Sequence, residues 1–300
     1  MFSAISELMA RDVSLVNSAI ADHLARLGAG ESELLRGLID AEGYSLTAGG
    51  KRIRPLLTLW FSRLFGGEDA AAIPSAIALE MIHTASLIHD DLPCIDNDDL
   101  RRGRPTNHKK FGESTALLAA DGLLMDAYSV IAGNALLTPE RRVASVAALA
   151  RATGTRGLVG GEYIDVLGEE RTLSLEELRC MDSMKTGALI IAAAELGAIA
   201  AGVDPCEEKM KRVHTYAANI GLAFQIVDDL LDVLGSAEEL GKNPGSDERA
   251  DKSTYLKFYT TTEAAELAAR LTDEAVAAIA EYEGSEPLVA LARYLTERKS

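Results

Sequence analysis

The chain is poor in aromatic residues, cysteine and proline, and it is short of positive charge. Aromatics are only 5% of its 300 residues. Strands favour aromatic and β-branched side chains, and no run here alternates Val, Ile and Thr, so no sheet is expected. The 3 cysteines, Cys94, Cys180 and Cys206, are odd in number and far apart. They form neither a disulfide framework nor a zinc cluster, and a reducing compartment is the default. With 8 prolines and 25% charged residues the composition is not that of a disordered chain. Lys and Arg number 30 against 46 Asp and Glu, a net charge of −16. Such a balance has no general electrostatic footprint for nucleic acid or an anionic membrane. Long apolar runs are missing as well. The most apolar stretch, Ala188 to Gly202, is interrupted by Glu195. It falls short of the roughly 20 residues a bilayer needs, so no membrane span is expected. The N-terminus MFSAISELMARD has no basic segment followed by an apolar one. It does not read as a secretory signal, and a cytoplasmic protein is expected.

What the chain has in quantity is alanine, 47 residues of it, the best helix former. Apolar residues recur at three and four, as in Leu56, Leu57, Trp60 and Leu64, and again in Leu222, Ile226, Leu230 and Val233. Helix punctuation falls at matching intervals. Thr138-Pro139 reads as an N-cap followed by Pro at the first helical position. Ser174 to Glu177 is a capping box, and Asp204 to Glu207 is a close relative. Gly66-Gly67, Gly168 and Gly202 read as helix stops. Segments 116–137 and 187–201 are apolar nearly all round and require burial in a large bundle or an oligomer. No repeat or linker divides the chain. The expectation is one all-α domain over residues 1–300, a single bundle of about ten or more helices around a central cavity.

Two aspartate clusters stand out in this apolar setting. The first is His89-Asp90-Asp91-Leu92-Pro93-Cys94-Ile95-Asp96-Asn97-Asp98-Asp99. The second is Gln225-Ile226-Val227-Asp228-Asp229-Leu230-Leu231-Asp232. Acidic residues usually form a solvated face, but Asp228 and Asp232 stack at i, i+4 among residues that must be buried. Such carboxylates repel one another unless cations neutralise them. Pro93 disfavours helix at Leu92, so a helix arriving from Ala76 ends near Asp91. A loop beyond the proline can then fold Asp96 back towards Asp90. Hard oxygen ligands suit Mg²⁺ or Ca²⁺, and an EF-hand does not fit because Arg101 occupies the required glycine position. Cations suited to phosphate accompany the clusters. They are Arg101, Arg102 and Arg104, the turn Gly49-Gly50-Lys51-Arg52-Ile53-Arg54-Pro55, Lys185-Thr186-Gly187, Lys242 and Lys252. No triad-like pattern offers a nucleophile.

With these residues in place the sequence resembles the trans-prenyltransferases, the polyprenyl diphosphate synthase family. The matching segments run in family order. They are GGKRIRP at 49–55, EMIHTASLIHDDLPCIDNDDLRRGRPTNHKKFGE at 80–113, MKTGALI at 184–190, FQIVDDLLDVLG at 224–235, and LGK followed by DKSTY within 240–255. The four residues between Asp91 and Asp96 resemble bacterial farnesyl and plant-type geranylgeranyl diphosphate synthases.

The resemblance implies an isoprenoid synthase-like bundle, usually a homodimer. It implies head-to-tail condensation of isopentenyl diphosphate with dimethylallyl, geranyl or farnesyl diphosphate. Asp90 and Asp96 are expected to bind two Mg²⁺ ions, and Asp228 with Asp232 and its neighbours a third. Asp91 and Asp229 belong to the same acidic motifs. Arg101, Lys185, Lys242 and Lys252 are expected to hold the allylic diphosphate. Lys51, Arg54, His83 and Arg102 are expected to hold isopentenyl diphosphate. Thr186 and Gln225 would present dipoles to the developing allylic cation, and the released diphosphate would act as base. Asp98 and Asp99 would orient Arg101 and Arg102.

Some positions depart from the pattern. Glu162 stands where the family has Gln, although Asp165 is kept, and Asp182 stands in a segment that is commonly basic. Product length turns on the residues before Asp90. Where short-chain enzymes of the family carry an aromatic residue five positions upstream, this chain has Ala85, with Ser86 beside it. Geranylgeranyl diphosphate is therefore the expected product, with Met81 or Met125 flooring the tail channel and farnesyl diphosphate as the alternative. A class I terpene cyclase would mix Asn, Ser or Thr with Glu at its second metal site and would lack the GGKR turn. A regulatory subunit would have lost aspartates.

Overall fold

Residues 2–30, 32–234 and 253–296 are described by the structure, a computed structural model. Four helices open the chain. They are α1 (Phe2–Gly28), α2 (Glu33–Leu46), α3 (Ile53–Leu64) and α4 (Asp69–Asp90). A two-stranded hairpin follows, β1 (Leu100–Arg101) paired with β2 (Arg104–Pro105). Then come α5 (Asn107–Phe111), α6 (Glu113–Ala132), α7 (Pro139–Thr153), α8 (Leu158–Glu170) and α9 (Leu175–Asp182). A five-residue π segment (Ser183–Gly187) leads into α10 (Ala188–Ala201). The remainder is α11 (Glu208–Leu234), a 3₁₀ turn (Tyr255–Lys257), α12 (Thr261–Ile279) and α13 (Glu286–Thr296).

The all-α expectation holds, and its local signals are realised. Thr138 caps α7 with Pro139 at the first turn, and Ser174 and Glu177 form a reciprocal capping box on α9. A second box, Thr260 with Glu263, starts α12. Gly202 ends α10 in the left-handed conformation. The Asp204–Glu207 pair closes a turn before α11 begins at Glu208. The main core gathers α3, α4 and α10, with Leu56, Phe61, Leu79, Ile82, Ala193 and Leu196 all buried. In α10 only Glu195 is charged. Its buried carboxylate accepts from Arg151 at 2.9 Å and lies 3.4 Å from His214.

Several expectations need correction. A sheet does occur, though it is a minimal one. Its turn, Arg102-Gly103, has positive φ at both residues, as a type I′ turn requires. Arg at such a position is not a turn signal, which is why the hairpin was illegible. Gly168 does not stop a helix; α8 runs past it to Glu170. Val233 is exposed and not on a buried face. Three helical runs, Asp69–Asp90, Glu113–Ala132 and Leu175–Ala201, are in fact long and apolar enough to cross a membrane by length and composition. The third reaches that length because the π segment joins α9 to α10 without a break. In the first and third of these runs, two thirds of the apolar window is buried inside the bundle. In α6 one third is buried, so the expected burial of 116–137 is only partly met within one chain.

Candidate diphosphate and metal-binding site

The GGKR segment turns sharply into α3. Gly49 and Gly50 take φ of 86° and 129°, and Arg52 is left-handed at 51°. Arg52 is not a ligand in waiting. Its buried guanidinium meets Glu80 at 2.5 Å, Asn17 at 3.0 Å and the Leu46 carbonyl at 2.8 Å. This buried pair fixes the turn against α2 and α4. Gly50 is needed for a second reason. A Cβ there would lie 3.0 Å from the Arg102 guanidinium, which donates to the Gly49 carbonyl. The hairpin is thus held against the GGKR turn.

A cavity of about 490 Å³ opens between these parts. Lys51, Arg54, His83 and Arg102 all line it. Burial pushes the pKa of Arg54 down, with Glu80 partly restoring it, and its Nε is buried without a hydrogen-bond partner. Burial also lowers Arg102. His83 is held well below the usual imidazole range, by burial first and then by Arg54, Arg102, Arg101 and Arg52. It is therefore neutral and offers a hydrogen bond, not a charge. A pocket with a desolvated, unsatisfied guanidinium is matched by a multiply charged anion.

The first aspartate cluster lies at the C-terminus of α4. The helix ends at Asp90 with Asp91 as its cap, as the proline requires. The loop folds back, and the Asp96 amide donates to the Asp90 carbonyl at 2.9 Å. Burial raises the Asp90 pKa to about 7, with Glu162 and Asp96 adding to it and Lys185 and Arg101 opposing. Asp91 turns aside. It is buried and accepts from Arg101 Nε at 2.6 Å, and Asp98 meets the same guanidinium at 3.4 Å. Burial nonetheless raises the Asp91 pKa to about 6. Asp99 pairs with Lys109 at 2.7 Å and not with Arg102, contrary to expectation.

Lys185 comes from the π segment, a local widening that often marks a functional position. Its Nζ lies 2.5 Å from Asp165 and 2.8 Å from Glu162, both on α8. These two carboxylates raise its pKa against the effect of burial. Gly161 makes the approach possible, since a Cβ there would sit 2.2 Å from the Lys185 amide nitrogen. Thr186 follows, half-buried.

The second cluster lies on α11. Asp228 and Asp229 are half-buried and Asp232 is buried. Asp229 accepts from the Tyr255 amide at 2.7 Å, which anchors the chain before α12. Asp182, at the end of α9, lies near the Gln225 carboxamide and the Tyr255 hydroxyl. Burial raises the Asp182 pKa to about 6. Lys242 and Lys252 lie outside the described residues.

The structure therefore unites Lys51, Arg54, His83 and Arg102 in one pocket. It places Asp96, Arg101 and Lys185 within electrostatic reach of Asp90. Among the described residues, no three His, Cys, Asp or Glu side chains close into a ready metal cage. The donors still fit Mg²⁺. They are hard carboxylate oxygens, with Asp90 and Asp228 half-buried and Asp96 exposed, in an open arrangement to be completed by water and phosphate. Sequence reasoning assigned no role to Glu80, Asp182 or Tyr255. A buried acid in an apolar helix, such as Glu80 three residues before His83, was the available signal.

Comparison with known proteins agrees with this geometry. The polyprenyl synthetase family model matches residues 37–284. The chain is 48% identical over 266 residues to geranylgeranyl pyrophosphate synthase 3, chloroplastic, of Arabidopsis thaliana, covering 86% of this chain and 73% of that one. It is also 48% identical over 259 residues to the chloroplastic geranylgeranyl pyrophosphate synthase of Catharanthus roseus, covering 85% and 72%. The apo crystal structure of an FPP/GFPP synthase from Zymomonas mobilis superposes with a TM-score of 0.86 at 34% identity, over 99% of this chain and 100% of that one. A match over this length, through both aspartate clusters and the GGKR turn, means that the chain belongs to the polyprenyl synthetase family.

Proposed function

We propose that this protein is a Mg²⁺-dependent prenyltransferase that condenses isopentenyl diphosphate head-to-tail with allylic diphosphates and ends at geranylgeranyl diphosphate. The observation that carries the reading is the pairing of two different anion sites. One is dominated by cations, with Lys51, Arg54 and Arg102 beside neutral His83, and its one carboxylate, Glu80, is paired to Arg52. The other mixes Lys185 and Arg101 with carboxylates. Two diphosphates that must react with each other need two such sites, only one of them built to ionise its occupant.

Lys51, Arg54 and Arg102 hold the isopentenyl diphosphate, and neutral His83 donates or accepts without adding charge. Arg101 and Lys185 hold the allylic diphosphate and stabilise it as the carbon–oxygen bond breaks. Bound at Asp90, Asp96 and the Asp228–Asp232 face, three Mg²⁺ ions would supply the remaining neutralisation of that leaving group. Gln225 and Thr186 turn their dipoles towards the developing allylic cation. The double bond of isopentenyl diphosphate attacks it, and the departed diphosphate takes the proton.

Product length is supported by the names of the plant relatives and by small residues on α4. The tail route needs revision. Met81, Ile82 and Ala85 are completely buried in the packed core, and Met125 is 64% exposed, so Met125 floors no internal channel. At 100° per residue Ala85 lies about 140° round the helix from Asp90, and Ser86 only about 40°. Ser86 is the small residue that keeps accessible surface on the Asp90 side. Leu118 and Met125, 57% and 64% exposed, leave an apolar face on α6 that supports a homodimer. Incubating the purified protein with labelled isopentenyl diphosphate and dimethylallyl, geranyl or farnesyl diphosphate, with and without chelator, tests the reading. The twenty-carbon diphosphate is expected only with Mg²⁺. Full turnover in excess chelator, or no condensation with any primer, would overturn it.

A further inference from the structure

The hairpin that carries Arg101 and Arg102 is too thin to hold its own position. Its ladder has two residue pairs, Leu100 with Pro105 and Arg101 with Arg104, and Pro105 has no N–H to give to its partner. At the turn Arg102 takes a left-handed φ of 54°, a conformation that persists only where the surroundings impose it. A cavity lined by Tyr44, Ala48, Thr84, Arg102 and Pro105 lies beneath, so packed side chains do not fully back the hairpin. Burial lowers the pKa of Arg102, and Arg52 and Arg101 add to that against Glu80. Tyr44 on α2 supplies an outside hold. Its hydroxyl donates to the Pro105 carbonyl at 2.8 Å. The Arg104 guanidinium lies 4.2 Å from the centre of its ring, and Lys110 Nζ 3.9 Å. The base of the hairpin is closed separately. Thr106 Oγ1 donates to the Asp98 carbonyl at 2.7 Å, and Asn107 Nδ2 to the Ala41 carbonyl at 2.8 Å. Tyr44 therefore acts on the returning strand and the tip.

We propose that Tyr44 is a positioning residue for isopentenyl diphosphate, acting through the hairpin to hold Arg102 in the pocket with Lys51, Arg54 and His83. The inference rests on reading that pocket as the isopentenyl diphosphate site. Tyr44 lies outside the lining of the pocket, so its effect passes through Arg102. It grips the returning strand at Arg104 and Pro105, just beyond the turn. Freeing that strand lets the turn relax towards negative φ. Such a change swings the Arg102 side chain away from Gly49 and Gly50, against which it now lies. Arg101 precedes the turn and has its own anchor in Asp91 at 2.6 Å. The allylic site therefore does not share the loss.

The test is a double-mutant cycle on the full chain, read as KM for each substrate, or as a calorimetric Kd where turnover is too low. Tyr44→Leu should raise the isopentenyl diphosphate constant at least about fivefold and leave the allylic one within about twofold. Tyr44→Phe keeps the ring for Arg104 and Lys110 and loses only the bond to Pro105, so its rise should be smaller, about twofold to threefold. In an Arg102→Ala background neither substitution should add more than about 1.5-fold. Circular dichroism at the assay temperature checks the fold, and if Tyr44→Leu is unfolded the Phe variant carries the cycle. Unchanged constants in the folded Tyr44 variants, equal rises for both substrates, or a rise undiminished in Arg102→Ala would each overturn the inference and leave the pocket's assignment standing. If Lys51→Ala and Arg102→Ala themselves leave the isopentenyl diphosphate constant unchanged, the pocket is not that substrate's site, and both readings fall.

Discussion

Asp12 and Asp90 are the same residue in two settings, one near each end of the bundle, and their carboxylates respond in opposite directions. Asp12 on α1 is fully buried. It accepts from Trp60 Nε1 at 2.7 Å and from Arg63, which also holds Asp69 on α4. Burial pushes its pKa up, but the hydrogen bonds from Arg63, Arg11 and Trp60 outweigh that and bring it below the ordinary value. Asp90 meets burial, Glu162 and Asp96, which outweigh Lys185 and Arg101, and it rises to about 7. The first carboxylate is satisfied by the protein that surrounds it and ties α1 to α3. The second is left wanting positive charge, which is the condition of a group that serves a ligand.

The comparison predicts two separable losses. Asp90→Asn should lower the rate of condensation by at least about 10²-fold while leaving the circular dichroism and melting temperature unchanged or slightly higher. Asp12→Ala should do the reverse. It orphans the buried Trp60 N–H and unpairs Arg63, at about 1–3 kcal/mol of stability, with kcat intact below the melting point. Denaturant unfolding beside initial rates checks both. A stability loss at Asp90 as large as that at Asp12 would erase the distinction.

Within the functional half, the two anion sites should also separate. Lys51→Ala or Arg54→Ala should raise KM for isopentenyl diphosphate about tenfold with little effect on the allylic KM. Lys185→Ala should chiefly lower kcat and weaken the allylic substrate. Initial-rate matrices in both substrates would show it, and identical patterns for the three variants would merge the sites. A smaller effect is expected on product length. Ser86→Phe should shift the main product towards farnesyl diphosphate in chain-length analysis. Ala85→Phe should mainly cost stability, about 1–3 kcal/mol, because it overfills a closed core position.

The smallest effect concerns Glu42, a carboxylate of the structural half that lacks what Asp12 has. Its Oε2 is buried without a partner, and burial with help from Asp126 raises its pKa to about 7. The folded state thus holds this proton more tightly than the unfolded chain, whose value is near 4.5. Its contribution to stability is present below pH 4.5 and is lost as pH rises through about 7. Asp12 has the opposite sign, since its contribution is present above its ordinary value and is lost in stronger acid. Melting temperatures across this range should flatten in Glu42→Gln and keep their acid limb.

Legibility followed the range of the interactions. Capping at Thr138 and Ser174, the end of α4 at the proline and the fold-back of Asp96 depend on neighbours a few residues apart. The sequence carries those signals directly. The Arg102-Gly103 hairpin depends on a strained arginine that has no local signature. The pairing of Lys185 with Glu162 depends on α8 and the π segment meeting through Gly161. Nothing in either segment alone announces that meeting.

The sequence by itself determined the helical class, the two aspartate clusters and the set of cations fit for diphosphates, because composition, periodicity and residue chemistry are local properties. Only the tertiary structure decided which member of each cluster faces the site. Asp90 and Asp91 are neighbours, yet one is left short of cations and the other is taken by Arg101. Successive residues on a helix point about 100° apart, and what each one meets is set by distant parts of the chain.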